Sequence, residues 1–260
     1  MNPSLFAFEQ GTGGEPVVLL HGFGAYHGVW RPVASQLAAT GHVIAYDLPG
    51  HGRSLDWPQA GPPRIAARAI VADIERRGLK RMHLVGHSMG GAIAALVALV
   101  EPGSIASLTL LAPGGFGEEI NAPLLRRYAA ATAPDELQQC LAAMSAPDFT
   151  PPAVIAEELA AMRAAPGQRE KLIEIAALIT RDGRQGVIPR DQLATLAMPV
   201  FVLWGTADPV LPFTQVENLP ANMTLQPIEA AGHMLVEEKP DAVAGFILEA
   251  VAASRNSPAI

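Results

Sequence analysis

The chain of 260 residues carries a formal net charge of −7, with 50% hydrophobic and 17% charged residues. This composition excludes an intrinsically disordered chain, which combines low hydrophobicity with high net charge. The acidic balance argues against nucleic acid as a partner, because phosphates require a basic surface.

Short apolar runs alternate with helical patterns along the chain. The strand-like runs cover residues 5–9, 17–20, 42–47, 81–87, 107–112, 199–204 and 223–228. The helix-like stretches cover residues 33–39, 65–77, 89–100 and 241–253. Apolar strands that alternate with helices predict a mostly parallel sheet with helices on both faces.

Residues 114–193 interrupt this alternation. The segment is rich in Ala, Pro and Glu, is helical in pattern and contains no convincing strand. We interpret it as a helical cap, so that residues 1–113 and 194–260 form the core domain. Such a cap would cover the strand ends, where open α/β sheets bind ligands. Residues 254–260 are predicted to be a frayed tail.

The cysteine content, the N-terminal residues and the lengths of the apolar runs indicate the cellular compartment. Cys140 is the only cysteine, so no internal disulfide is expected and a reducing compartment is favoured. Residues 1–10 lack a basic region followed by an apolar run, so no secretory signal is predicted. The longest apolar run, residues 92–100, is far shorter than the ~20 residues of a bilayer span. We predict a cytoplasmic protein without a membrane partner, and the oligomeric state stays open.

The strongest chemical signal is the pentapeptide Gly86-His87-Ser88-Met89-Gly90. This G-x-S-x-G pattern follows an apolar strand and precedes small residues, as a strand–turn–helix nucleophile elbow requires. The tight turn needs small residues on both sides of the serine, and the two glycines meet that need. The sequence therefore predicts Ser88 as a nucleophile, the alternative being a Gly-Ser-Gly turn without function.

A serine hydroxyl is a weak nucleophile until a base takes its proton, and histidine, with an unperturbed pKa near ~6.5, suits that task. His233 follows the last predicted strand and precedes the last helix, so its loop can reach the strand ends. It is the predicted base. Four other histidines are interpreted as structural: His42, His51, His83 and His87.

The base needs an acid that fixes its tautomer. Asp208 follows the strand at residues 199–204 and so lies at the same sheet edge as Ser88. The order Ser88, Asp208, His233 is one of those known for this triad. The alternative for Asp208 is an aspartate that caps the turn before Pro209.

Two backbone amides are candidates for an oxyanion hole, because an attacked carbonyl needs preorganised donors. One is the N–H of Met89, directly after the serine. The other is the N–H of Phe23 in the glycine-flanked segment 21–24, which follows a strand. A plain glycine-rich turn is the alternative.

The sequence also bears on the substrate pocket, the cysteine and the binding of metals or cofactors. Phe116, Leu211 and Met234 flank predicted strand ends and are candidate pocket residues, with ordinary core packing as the alternative. Cys140 has no partner motif and is interpreted as a buried thiol. No histidine spacing or carboxylate cluster indicates a metal site. Residues 21–24 lack the third glycine of a dinucleotide-binding loop. We therefore predict neither metal nor cofactor.

Together these motifs resemble the α/β-hydrolase superfamily over nearly the whole chain. The segments that carry the resemblance are residues 21–24, 47–54, 86–91, 205–208 and 232–233. The resemblance implies an α/β-hydrolase fold with a mostly parallel sheet of seven or eight strands, flanking helices and a helical cap. The family usually opens with two strands before the one that ends in His-Gly, whereas only one is visible here.

Within the superfamily, residues 108–121 and 182–185 are most similar to the acetyltransferase (E2) subunit of acetoin dehydrogenase complexes. That subunit carries a lipoyl domain. None of the three lysines here lies in a lipoyl-type turn, so the chain is not expected to carry its own lipoyl arm: Lys80, Lys171 and Lys239.

The residues and the resemblance lead to one predicted function and two alternatives. The prediction is a serine hydrolase that cleaves a small apolar ester, thioester or related carbonyl compound, including a C–C bond β to a carbonyl, through an acyl-enzyme. One alternative is an acyltransferase in which a thiol or alcohol replaces water. The other is a ligand receptor that retained the triad. A haloalkane dehalogenase is disfavoured, because it would use aspartate at position 88.

Overall fold

The structure, a computed structural model, describes residues 4–255. Residues 1–3 and 256–260, which include most of the predicted tail, lie outside the described residues. Seven strands form one sheet: β1 Ala7–Gln10, β2 Val17–Leu20, β3 Val43–Tyr46, β4 Met82–His87, β5 Ile105–Leu111, β6 Val200–Gly205 and β7 Met223–Ile228. Their order is β1-β3-β2-β4-β5-β6-β7.

The sheet is parallel except at one edge. β1 pairs antiparallel with β3, and every other neighbouring pair is parallel. The predicted mostly parallel sheet is therefore confirmed, with seven strands among the described residues. Because parallel strands share one direction, the segments that leave β2, β4 and β6 at their C-terminal ends start from the same edge of the sheet.

Four long helices flank the sheet: α1 Arg31–Ala38, α2 Pro63–Arg77, α3 Met89–Val100 and α10 Pro240–Arg255. α1 packs on α10, and α2 packs on α3. The four-residue helix α9, Leu235–Glu238, directly precedes α10. Within residues 4–255, no helix combines the length and the apolarity needed to cross a bilayer.

A helical insertion connects β5 to β6. It contains α4 Ala122–Ala130, α5 Pro134–Met144, α6 Ala153–Arg163, α7 Gln168–Ile179 and α8 Arg190–Leu193. α4 packs against α7, and α5 packs against α6. The segment contains no strand, in agreement with its sequence pattern. The division into a cap of residues 114–193 and a separate core stays a prediction.

The core lies around the central strands. Every residue of β2, β3, β4 and β5 is buried, as expected for parallel strands that are covered on both faces. Trp30, Tyr46 and Trp204 are among the largest fully buried side chains. Cys140 is fully buried in α5, and burial raises the pKa of its thiol. A buried thiol with a raised pKa is a poor nucleophile.

Candidate active site

Ser88 occupies a strained turn between β4 and α3. Its φ is 54° and its ψ is −119°, a conformation that residues with a Cβ rarely adopt. A Cβ on Gly86 would lie 2.2 Å from the Gly90 carbonyl oxygen, and a Cβ on Gly90 would lie 2.3 Å from that of Leu20. Both positions therefore require glycine. The strand–turn–helix context expected from the G-x-S-x-G pattern is present.

The three residues of the predicted triad are brought together by hydrogen bonds. Ser88 Oγ lies 2.9 Å from His233 Nε2, and His233 Nδ1 lies 2.8 Å from Asp208 Oδ2. The second oxygen, Asp208 Oδ1, accepts from the amides of Val210 and Leu211, both at 2.8 Å. Once Nδ1–H donates to the carboxylate, Nε2 carries a lone pair that can accept the serine proton.

Burial separates this hydrogen-bonded chain from bulk water. His233 is 3% exposed and Asp208 is 8% exposed, whereas Ser88 is only partly buried. The base and acid are therefore shielded, while the hydroxyl stays accessible to a ligand. Shielding of this kind strengthens the interaction between an imidazolium and a carboxylate.

Residues 21–24 form a loop that lies against the serine. A Cβ on Gly22 would lie 3.3 Å from the Cβ of Ser88. Among the described residues, no acceptor is assigned to the backbone N–H of Phe23 or of Met89, and both residues line the same cavity as Ser88. Two unpaired amides beside a hydroxyl can stabilise a developing oxyanion.

Side chains from distant segments anchor this loop at Gly24. Its N–H donates to His51 Nε2 at 3.1 Å, and its carbonyl accepts from Tyr128 Oη at 3.3 Å and Arg163 Nη2 at 3.2 Å. Burial lowers the pKa of His51 to about 3, so its neutral ring can accept that amide hydrogen. Two of the three anchors belong to the helical insertion, which therefore helps to set the loop position.

His87 makes a structural contact beside the triad. Its Nε2–H donates to the carbonyl of His233 at 2.8 Å. Burial lowers the pKa of His87 to about 3, and the neighbouring His233 contributes to the same shift. A neutral His87 supports the backbone of His233 without competing for the serine proton.

A cavity of about 310 Å³ extends from Ser88 between the sheet and the helical insertion. Its lining is mainly apolar and includes Leu96, Leu125, Ile179, Ile188, Val210 and Leu211. Of the three candidate pocket residues, Leu211 lines the cavity, but Phe116 and Met234 do not. Phe116 instead packs against Trp204, with ring centroids 6.3 Å apart. Met234 is buried beside the triad loop.

Other histidines form hydrogen bonds with individual neighbouring groups. His42 contacts Glu9, and His83 contacts Ser107. His21 Nδ1–H donates to the Gly22 carbonyl, and burial lowers the pKa of His21 to about 4. Within residues 4–255, no group of three or more His, Cys, Asp or Glu side chains is arranged to hold a metal ion.

Residues 17–246 match the sequence profile of the alpha/beta hydrolase family. The chain belongs to the alpha/beta hydrolase family. It is 34% identical to the dihydrolipoyllysine-residue acetyltransferase component of the acetoin cleaving system of Pseudomonas putida, over 90% of this chain and 62% of that protein. The chain thus spans less than two thirds of that relative.

Two further comparisons found similar proteins whose names describe a lipase and a phospholipase. Mouse monoacylglycerol lipase ABHD6 is 26% identical, over 97% of this chain and 80% of that protein. The solved structure of a membrane phospholipase A, a bacterial virulence factor, superposes with a TM-score of 0.82 and 26% identity, over 96% of this chain and 83% of that one. The expected α/β-hydrolase fold and the acetyltransferase resemblance are confirmed.

One residue near the triad of this alpha/beta hydrolase was missed by sequence reasoning. The Glu238 carboxylate accepts from the amides of Gly232 at 2.8 Å and Met234 at 3.0 Å, on either side of His233. It also accepts from the Ala146 amide at 3.2 Å. The only sequence signal was an acidic residue at a position predicted to lie near the start of a helix. Its contact with Ala146 depends on how the segment after α5 lies against the loop of His233.

Proposed function

We propose that this alpha/beta hydrolase is a serine-dependent hydrolase that cleaves an ester or thioester of a small, mainly apolar acyl group. The observation that carries the proposal is the unbroken hydrogen-bonded chain from Ser88 through His233 to Asp208 at the wall of an apolar cavity. A hydroxyl next to a base that is oriented by a buried carboxylate is the arrangement that activates a nucleophile.

The proposed reaction starts with attack of Ser88 Oγ on the substrate carbonyl carbon while His233 Nε2 takes the hydroxyl proton. The amides of Phe23 and Met89 hold the oxyanion that forms. Collapse of the tetrahedral intermediate breaks the bond to the leaving alcohol or thiol, which receives the proton from Nε2. Water then attacks the acyl-enzyme while His233 Nε2 takes its proton, and collapse of the second tetrahedral intermediate releases the acid and returns the proton to Ser88 Oγ.

Acyl transfer is the second candidate, favoured by the 34% identity to an acetyltransferase component. It uses the same acyl-enzyme, with a thiol in place of water. The two reactions differ in the acceptor that reaches the acyl carbonyl. A thiol that increases the yield of transferred product at the expense of free acid distinguishes transfer from hydrolysis.

The test combines active-site labelling with turnover. A fluorophosphonate should label Ser88, and a p-nitrophenyl ester of a short acid should be hydrolysed. Ser88→Ala should abolish labelling and lower kcat by about 10⁴-fold or more. Ser35→Ala, which alters an exposed serine on α1, is the matched control. Activity of Ser88→Ala within tenfold of wild type would overturn the proposal, and absence of turnover by the wild type would favour a receptor.

A further inference from the structure

The charged residues that line the cavity are all of one sign. Of the described residues that line it, Arg64 and Arg181 carry a formal charge and none is Asp or Glu. The chain as a whole has 25 acidic residues against 18 Lys and Arg. An all-cationic lining on an acidic protein makes the local field favour an anion at this place.

Neither guanidinium is neutralised within the protein. Both side chains are exposed, and neither donates to an acceptor among residues 4–255. Two other exposed arginines are paired, Arg76 with Asp73 and Arg184 with Glu118. The donors of Arg64 and Arg181 are thus available for a ligand.

The two arginines line one cavity, on segments of the chain that approach each other. Arg64 lies in the first turn of α2, and Arg181 follows the end of α7. The preceding segments touch, because a Cβ on Gly61 would lie 2.6 Å from Leu178 Cδ1. Each guanidinium can bind a carboxylate or phosphate with two parallel hydrogen bonds.

The rest of the cavity lining indicates the chemical character of the uncharged part of the ligand. Ser88 belongs to the same cavity, and most of the surface between the insertion and the sheet is apolar. A ligand that fills it therefore has a carbonyl at the serine and an apolar body. Its charged group stays at the exposed rim, where little desolvation is required.

We infer that the substrate is an anionic acyl compound, whose carbonyl reacts at Ser88 and whose remote carboxylate or phosphate is bound by Arg64 and Arg181. This inference rests on the proposed function and names its substrate class. It adds no chemical step to the reaction. The two arginines act in binding. Their substitution should therefore change the ratio of kcat/KM for anionic substrates to kcat/KM for neutral ones.

The test uses p-nitrophenyl esters in a series of acyl chain lengths. Each length is made with a terminal carboxylate, a terminal phosphate monoester, and a neutral terminal carboxamide of similar size. The quantity measured is the ratio of kcat/KM for the anionic ester to kcat/KM for the carboxamide. At the best length the wild type should prefer an anionic ester by about tenfold, and added salt should reduce that ratio because the rim is exposed. The anionic ester with the higher kcat/KM shows whether the site prefers a carboxylate or a phosphate.

The decisive variant is the double substitution Arg64→Gln and Arg181→Gln, which should bring the ratio close to one. Arg68→Gln removes an exposed charge one turn further along α2 that does not line the cavity, and it should keep the wild-type ratio. A wild-type ratio near one, an unchanged ratio in the double variant, or an equal loss in Arg68→Gln would overturn the inference.

Ser88→Ala separates this outcome from failure of the proposed function. Turnover of the carboxamide ester that survives Ser88→Ala contradicts the proposed function. Turnover that depends on Ser88 but shows no preference for an anion contradicts only the inference on substrate class.

Discussion

Glu238 holds the backbone on both sides of His233. One carboxylate oxygen accepts from the Gly232 amide and the other from the Met234 amide, at 2.8 and 3.0 Å. The first oxygen also accepts from the Ala146 amide, at the start of the segment that follows α5. Charge-assisted hydrogen bonds to backbone amides fix the loop more firmly than neutral ones. Glu238 is thereby a positioning residue for the imidazole.

The first prediction is that Glu238→Gln lowers kcat by about 10- to 100-fold, because a displacement of the base by a fraction of an ångström weakens the contact with Ser88. Glutamine has one acceptor oxygen, so it cannot serve all three amides. The KM for a neutral ester should stay within about twofold, because the cavity lining is unchanged. Steady-state kinetics at saturating ester concentration measure the effect.

Glu237→Gln is the matched control for this prediction. It makes the same chemical change one residue earlier, and Glu237 makes no hydrogen bond to the loop amides of His233. Its kcat should stay close to wild type near neutral pH. If both variants lose the same activity, the positioning role of Glu238 is wrong.

The second prediction concerns the acid of the triad. In Asp208→Asn, the side-chain oxygen can keep the hydrogen bonds from Val210 and Leu211, which leaves an NH₂ group facing His233 Nδ1. Nδ1 must then present its lone pair, so Nε2 carries the hydrogen and cannot accept the proton of Ser88. We expect kcat to fall by about 10³- to 10⁴-fold with the fold retained.

Fluorophosphonate labelling rates and thermal unfolding check this second prediction together. Labelling should slow in parallel with kcat, while the midpoint of unfolding changes little. A variant that labels as fast as the wild type would show that Asp208 does not orient the base.

The sequence was most informative where a local pattern determines a local structure. The apolar runs located the seven strands of the described residues within a few residues. The signal was clearest for the central strands β2 to β5, because a buried parallel strand must be apolar on both faces. The turn at Ser88 could be predicted because the backbone around positions 86 and 90 leaves no space for a Cβ, so that both positions require glycine. The meeting of Ser88 with His233 followed from the shared direction of parallel strands.

The features that were missed depend on packing between distant segments. Phe116 flanks a strand end, but its ring turns towards Trp204 instead of the cavity, and position along the chain does not encode that choice. The role of Glu238 requires the end of α5 to approach the loop of His233. Arg64 and Arg181 are far apart in sequence and line one cavity because the segment before α2 approaches α7.

The third prediction tests the steric basis of the elbow. A Cβ on Gly90 would lie 2.3 Å from the Leu20 carbonyl oxygen and 2.5 Å from that of His21, and neither backbone oxygen can move alone. Gly90→Ala should therefore lower the free energy of unfolding by about 1–3 kcal/mol. It should also lower kcat, because the displaced segment leads into the loop of Phe23.

Gly245→Ala is the control for this substitution. Gly245 lies inside α10, and a Cβ there would meet no atom within 4 Å. Alanine is the better helix former, so this variant should be more stable than wild type by about 0.5–1 kcal/mol. Urea unfolding compares the two, and equal stabilities of Gly90→Ala and wild type would contradict the steric argument.

The last prediction concerns Glu237, whose Oε2 is shielded from water and has no hydrogen-bond partner among the described residues. Burial raises the pKa of this carboxyl to about 8, and the neighbouring Glu238 charge adds to the shift. Between the usual value of 4.5 and about 8, the folded protein therefore keeps a proton that the unfolded chain has lost. The free energy of unfolding should fall as the pH rises through this window.

Glu237→Gln removes this titration, because the amide is neutral at every pH. The variant should match the wild type near the acidic end of the window and become the more stable of the two as the pH approaches 8. Urea unfolding at several pH values across the window measures the difference, with Glu249→Gln on the exposed side of α10 as the matched control. The control should follow the wild-type curve. If Glu237→Gln also follows it, the carboxyl is already ionised in the folded protein, and the raised pKa inferred from its burial is wrong.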